Sequence, residues 1–415
     1  MRKLFTLLIY IYAVSGYAQR NEIYDSRIAS LQVVAGVDRL SLPVVRLGSN
    51  NPKDVINISF DDLTHTYHRY TYAIEHCEAD WSVSDALFPA DYISGFYEGN
   101  TIDDSEESVN TNVLYTHYSL QIPNERCRLK MSGNYRLTVY NENDANRPMF
   151  SACFMVVEPL VGVSMSVSSN TDVDVNKSHQ QVSMQADYHG INVTNPATQI
   201  KTVVMQNFRW DNARINTQPQ YIMAKGLRWQ HNRDLIFEAG NEYHKYEILD
   251  VSHPTMGIDF IRWDGRNYHV YPFADEPRPN YVYDEDADGA FYIRNSDNVE
   301  NNRTSEYVFV HYILKCPKRY DGDVYISGVW TNNRFIPEYK MEYDDAEQCY
   351  KAVVMQKQGY YSYQYLLVGS DGVARVMPEE GNFYQTENKY QALVYFRGTG
   401  ERTDRLVGYQ QIQTR

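Results

Sequence analysis

Cysteine is scarce in this chain of 415 residues. Cys77, Cys127, Cys153, Cys316 and Cys349 make an odd five, and no Cys-x-x-Cys occurs. A dense disulfide framework is excluded, one or two bridges stay open in an oxidising compartment, and buried single thiols are expected for most. Positive charge is also short: 39 Lys and Arg face 53 Asp and Glu, a net charge of −14. Such a chain is poorly matched to a phosphate backbone, so nucleic acid is not an expected partner. Past the N-terminus no apolar run approaches the roughly 20 residues that a membrane-spanning helix needs. Heptads, repeats and low-complexity tracts are missing. So are Gly-x-Ser-x-Gly and His-Glu-x-x-His, and paired carboxylates such as Asp61-Asp62 and Glu379-Glu380 are too common in an acidic chain to mark acid–base chemistry. No enzyme activity and no cofactor are expected.

The N-terminus carries a pattern of its own. Arg2 and Lys3 precede an apolar run over residues 4–14, and small residues stand at Gly16 and Ala18. Residues 1–18 therefore read as a signal peptide cut between Ala18 and Gln19, which implies export and removes two positive charges.

Tyrosine is abundant, with 37 residues against 15 Phe and 5 Trp. Its ring packs while its hydroxyl stays wet, which suits half-buried strands and recognition surfaces. Residues 359–369, Gly-Tyr-Tyr-Ser-Tyr-Gln-Tyr-Leu-Leu-Val-Gly, show the pattern best. Tyr361, Tyr363 and Tyr365 fall on one side of an extended backbone. Similar alternations recur between turn signals, which predicts an all-β chain of three consecutive immunoglobulin-like or E-set-like sandwiches. The expected divisions are 19–158, 159–302 and 303–398, with 399–415 as a tail whose residues 404–409 add a short edge strand. Asp264-Gly265 between two apolar alternations signals a hairpin.

Two stretches are candidate sites. Asp284, Asp286 and Asp288 occupy the first, third and fifth places of a calcium loop, and Gly289 stands at the sixth. Asn295 replaces the closing bidentate Glu, and the flanks read as strands, so an acidic hairpin turn is the favoured reading and calcium the weaker one. In the last domain Trp330, Tyr361, Tyr363 and Tyr365 follow the layout of glycogen-binding-type modules, where exposed aromatics stack on sugars. Core packing is the commoner fate of such strands and is favoured; contact with a partner or glycan is the alternative.

Longer motifs then point to a family. Phe60-Asp61-Asp62-Leu63, His76-Cys77, Asp80-Trp81, Asp91-Tyr92-Ile93-Ser94-Gly95-Phe96 and Ser132-Gly133-Asn134-Tyr135 resemble the opening of the type IX secretion system plug proteins. Pro337-Glu338-Tyr339-Lys340-Met341, Lys357-Gln358-Gly359-Tyr360, Gly381-Asn382-Phe383-Tyr384, Thr386-Glu387-Asn388, Leu393-Val394-Tyr395-Phe396-Arg397 and Asp404-Arg405-Leu406-Val407-Gly408 resemble its later parts. The resemblance implies a periplasmic, non-enzymatic protein that closes the outer-membrane translocon barrel from below by protein–protein contact. It brings no catalytic residues, no metal and no cofactor. An exported glycan-binding β-sandwich protein is the alternative function.

Overall fold

Strands that alternate in sequence alternate in burial. In Tyr70–Cys77 the side chains of Tyr70, Tyr72 and Ile74 are buried and those of Thr71, Ala73 and Glu75 half-exposed, as a period of two requires. The computed structural model describes residues 21–414, apart from the side chains of Ala145 and Asn146. The expected signal peptide and its cut between Ala18 and Gln19 lie outside the described residues.

The chain is all-β, with only short helical turns such as Pro89–Tyr92 and Pro196–Gln199. A first layered unit pairs two sheets. A six-stranded sheet runs Glu22–Ile23, Asp144–Val157, Gly133–Asn141, Tyr70–Cys77, Asn100–Ile102, with Val44–Arg46 parallel to Asp144–Val157. A four-stranded sheet runs Ile28–Ala35, Ile56–Asp62, Thr116–Ile122, Asp104–Glu107. Between them lies an aromatic core that includes Phe60, Tyr70, Tyr118 and Phe150.

A second unit packs the five-stranded sheet of Gly162–Ser168, His179–Asp187, Gly226–Trp229, Tyr221–Met223 and Ile236–Glu238 against a four-stranded sheet. The latter runs Arg214–Ile215, Ile200–Gln206, Lys389–Phe396, Arg405–Gln413. The third unit is a ten-stranded sheet running His244–Ile248, Gly359–Val368, Asp323–Ser327, Lys340–Asp344, Cys349–Lys357, Tyr307–Lys315, Tyr268–Pro272, Ile258–Trp263, with two short strands beside Gly359–Val368. Its core holds Tyr246, Tyr312, Trp330 and Tyr365.

Sheet membership departs from the expected divisions at 302 and 398. The chain leaves the second unit after Ile236–Glu238, builds the third, and returns at Lys389–Phe396, which pairs antiparallel with Ile200–Gln206 (Val203 opposite Leu393). The expected tail is the strand Arg405–Gln413, paired along most of its length with Lys389–Phe396. Alternation marks a strand and its buried face, but which sheet it joins is a long-range choice that no local pattern encodes. The five cysteines are buried, and no disulfide joins them. Among the described residues no helix is long and apolar enough to cross a membrane.

Candidate functional site

The three carboxylates of the acidic turn are each engaged by other groups. Asp284 pairs with Lys245 at 2.6 Å, and Asp288 with Lys389 at 2.9 Å. Asp286 accepts the backbone N–H groups of Tyr243 at 2.5 Å and Asp288 at 2.6 Å. Each carboxylate is thus committed in a different direction. Among the described residues no three His, Cys, Asp or Glu side chains gather as a metal would need. Burial, and next the charge of Asp288, push the Asp286 carboxyl up to about 7.

The aromatic candidates are core residues, the fate favoured for them, which overturns the alternative of contact with a partner or glycan. Tyr361, Tyr363 and Tyr365 are at most 2% exposed, and Trp330 is 8% exposed. Trp330 donates its indole N–H to the carbonyl of Ser362 at 3.1 Å and is stacked on Tyr312. The reason is position. Strand Gly359–Val368 is flanked by His244–Ile248 on one edge and Asp323–Ser327 on the other, and most side chains on both its faces are buried. Tyr363 and Tyr365 both donate to Asp275 (3.0 and 2.6 Å), which pairs with His244 at 2.8 Å; the other ring nitrogen of His244 meets Glu380 at 2.9 Å. Burial alone would lower the His244 pKa, but the two carboxylates outweigh it and hold it at about 9.

What the fold assembles from the motif residues is a set of junctions between the units. Asp61, on the first unit, meets Lys357 of the third at 2.6 Å, with both side chains almost wholly buried. The same carboxylate accepts from Tyr307 at 2.6 Å and faces His117 at 2.6 Å, while the Lys357 ammonium lies 3.9 Å from the centre of the Tyr115 ring. Burial would raise the Asp61 pKa; Lys357 and His117 hold it below the usual range. The first and second units meet through an apolar layer containing Trp81, Met155, Phe208 and Trp210, the two indoles edge to face at 5.5 Å. Beside it, Asp404 binds Arg397 at 2.9 Å, Lys201 at 2.8 Å and the Ala79 N–H at 3.1 Å; Arg397 also pairs with Glu78, and Tyr395 donates to Asn134 at 2.8 Å. Gly133 lies here at φ +146°, and a Cβ on it would stand 2.2 Å from Nε2 of His76, so only glycine fits without displacement.

The two chain crossings between the second and third units are tied to each other and to the second unit. Asn388 donates to Gln180 at 3.0 Å and to the Ala239 carbonyl at 2.8 Å, and accepts from Asn207 at 2.8 Å. Asn382 accepts the Gly240 N–H at 2.9 Å. Sequence reasoning singled out these residues as marks of resemblance, not as junctions, because pairs such as Asp61 with Lys357 have no local spacing to betray them. It also missed the exposed aromatics, Phe260 and Trp263, both on the edge strand Ile258–Trp263. A register shift between Ile258 and Phe260 breaks the strict alternation that would have shown them.

Fold and junctions together define the class: an all-β protein of several sheets whose layered units are fastened to one another by buried polar contacts. A profile described as "Type 9 secretion system plug protein 1st domain" matches residues 28–158. Over 95% of its length the chain superposes on 99% of a hypothetical protein from Parabacteroides merdae ATCC 43184, known from its crystal structure, with 40% identity and a TM-score of 0.91. Collagen adhesin from S. aureus aligns over 93% of this chain and 91% of its own at 8% identity, with a TM-score of 0.12, too low to mark a shared fold. No curated protein matches. The chain belongs to the type 9 secretion system plug protein family.

Proposed function

We propose that this protein is a periplasmic plug that closes the translocon barrel of type IX secretion by contact alone, without a catalytic step or a cofactor. The leader at residues 1–18 delivers it across the inner membrane. On this reading the layered units are immunoglobulin-like or E-set-like bodies, the third of them related in layout to glycogen-binding modules, and their role is to fill space. The observation that carries the reading is the junction set: closing a wide pore requires a body that does not flex, and Asp61, Asn134, Lys357, Tyr395 and Asp404 fasten the units through buried polar contacts, with the half-exposed Arg397 beside them. Reversible closure calls for a moderate, partly polar interface.

The test is a tagged protein recovered from solubilised outer membrane, combined with a deletion strain. Co-purification of the translocon barrel, and a deletion strain that admits large hydrophilic antibiotics, are the expected results. Unchanged permeability in the deletion strain, with no barrel in the eluate, removes the proposal.

A further inference from the structure

Where the three units meet they leave a cavity of about 550 Å³. Leu31, Val33 and Leu42 of the first unit line it, with Phe208 of the second and Phe291 and Val329 of the third. Close packing leaves few hollows of this size in a protein. One that is apolar on several sides and set between packed bodies has the usual form of a small-molecule site.

The backbone around the cavity is unusual. Among the described residues fifteen non-glycine residues have positive φ, and five of them, Asn207, Phe208, Asp288, Asn332 and Asn333, line this cavity. Both places where two such residues follow one another directly are here. Asn and Asp enter the left-handed region readily, but Phe208, at φ +56°, is strained. Gln391 holds it there, its side-chain oxygen accepting the Phe208 N–H at 2.9 Å. Strain of this kind persists only where neighbours over-determine it, and it collects at ligand clamps.

Charge gives the sign of the ligand. The charged side chains on the wall are Asp38, Arg39, Lys53, Asp288 and Lys389. That is three cations against two carboxylates, in a chain whose net charge is −14. Asp288 and Lys389 neutralise each other at 2.9 Å. Asp38 is exposed and accepts the Leu40 N–H at 3.0 Å, and Lys53 is exposed as well. Arg39 is drawn inward. Its guanidinium donates to the Ile293 carbonyl at 3.2 Å, and among the described residues no carboxylate pairs with it. Burial therefore lowers its pKa with no anion to offset the effect. A guanidinium partly removed from water without a counter-ion is unfavourable, and an anion in the cavity would relieve it. The loop that carries Arg39 also sets Val37 and Leu40 on the cavity wall, 89% and 42% exposed, as apolar surface for a ligand to cover.

We infer that this cavity binds a small amphipathic acid, its carboxylate on Arg39 and its apolar body between Leu31, Phe208 and Phe291. A ligand seated there touches all three units at once and fastens them further. The inference is independent of the plug reading.

The test is isothermal titration of the full-length protein with decanoate, and competition with 1-decanol and decyltrimethylammonium, which carry the same chain with no charge or a positive one. Arg39→Gln removes the cation, Arg39→Lys keeps it, Ala290→Phe fills the cavity, and Arg128→Gln is the control on an exposed arginine elsewhere. Melting temperatures of the unliganded variants are checked first; should Ala290→Phe not fold, the two Arg39 variants decide alone. Decanoate is expected to bind at one site per chain and to raise the wild-type melting temperature, since it binds the folded state. Arg39→Gln should weaken it at least about tenfold, Arg39→Lys less, and Ala290→Phe should abolish it, with Arg128→Gln at the wild-type level. Decanol should compete at least about tenfold more weakly, and the ammonium compound not at all. No saturable binding of decanoate by the wild type below about 1 mM overturns the inference. So does decanol or the ammonium compound binding as tightly as decanoate, and so does wild-type affinity in Arg39→Gln.

Discussion

A buried tyrosine must place its hydroxyl, and the third unit uses its tyrosines to hold a charged centre. Tyr246 and Tyr312 share the side-chain oxygen of Gln356 at 2.6 and 2.8 Å, while Tyr363 and Tyr365 converge on Asp275. His244 closes that second group between Asp275 and Glu380, with Arg278 paired to Glu380. Its pKa is raised from 6.5 to about 9, so its charge stabilises the fold fully below pH 6.5, and the contribution is lost as pH rises through 9. Asp275 is held below its usual range, and Tyr363 and Tyr365 titrate well above theirs, so none of the three changes state in that window. Such a rise corresponds to roughly 3 kcal/mol at most. Urea unfolding at pH 6.5, 8 and 9.5 should show wild-type stability falling steadily, while His244→Gln starts lower and, once Asp286 has ionised above its pKa of about 7, stays flat from pH 8 to 9.5. Parallel decline of both proteins would refute the assignment.

At the scale of elements, the chain shows its strands plainly and hides their partners. Tyr361, Tyr363 and Tyr365 do share one side of their strand, and Asp264-Gly265 does turn a hairpin between Ile258–Trp263 and Tyr268–Pro272, because both depend on backbone geometry over a few residues. That the other side of Gly359–Val368 is buried as well depends on strands far away, and the sequence held no sign of it. Residues 399–415 show the same limit. Short and polar at both ends, they read as a tail, yet Leu406 and Val407 are fully buried and Asp404 anchors the junction with the first unit. Deleting 399–415 removes one whole strand from the second unit's four-stranded sheet and uncovers its neighbour. The shortened protein should be cut rapidly by trypsin within residues 160–240 and lose its cooperative melt. Retention of the wild-type melting temperature would show the strand to be an appendage.

For the whole molecule the question is whether the units act as one body, and the Asp61–Lys357 contact decides it. An ion pair removed from water is expensive; it gains most when both partners are satisfied, and removing one member costs about 3–5 kcal/mol because the other is left charged in the interior. Here Asp61 is served by Lys357, Tyr307 and His117 together, and Lys357 also donates to the Asn302 carbonyl at 2.5 Å. Asp61→Asn therefore strands the ammonium at the joint between the first and third units, whereas Asp61→Asn with Lys357→Met removes the stranded charge and should recover part of the loss. With the joint intact, calorimetry should give a single endotherm, since unfolding one unit exposes the buried polar layer of the next. In Asp61→Asn the first unit should melt ahead of the other two as a separate transition, and the double variant should bring the two transitions closer again. If Asp61→Asn instead melts in one step at the wild-type temperature, the units are coupled by their apolar layers, and the polar junctions are not what makes the body stiff.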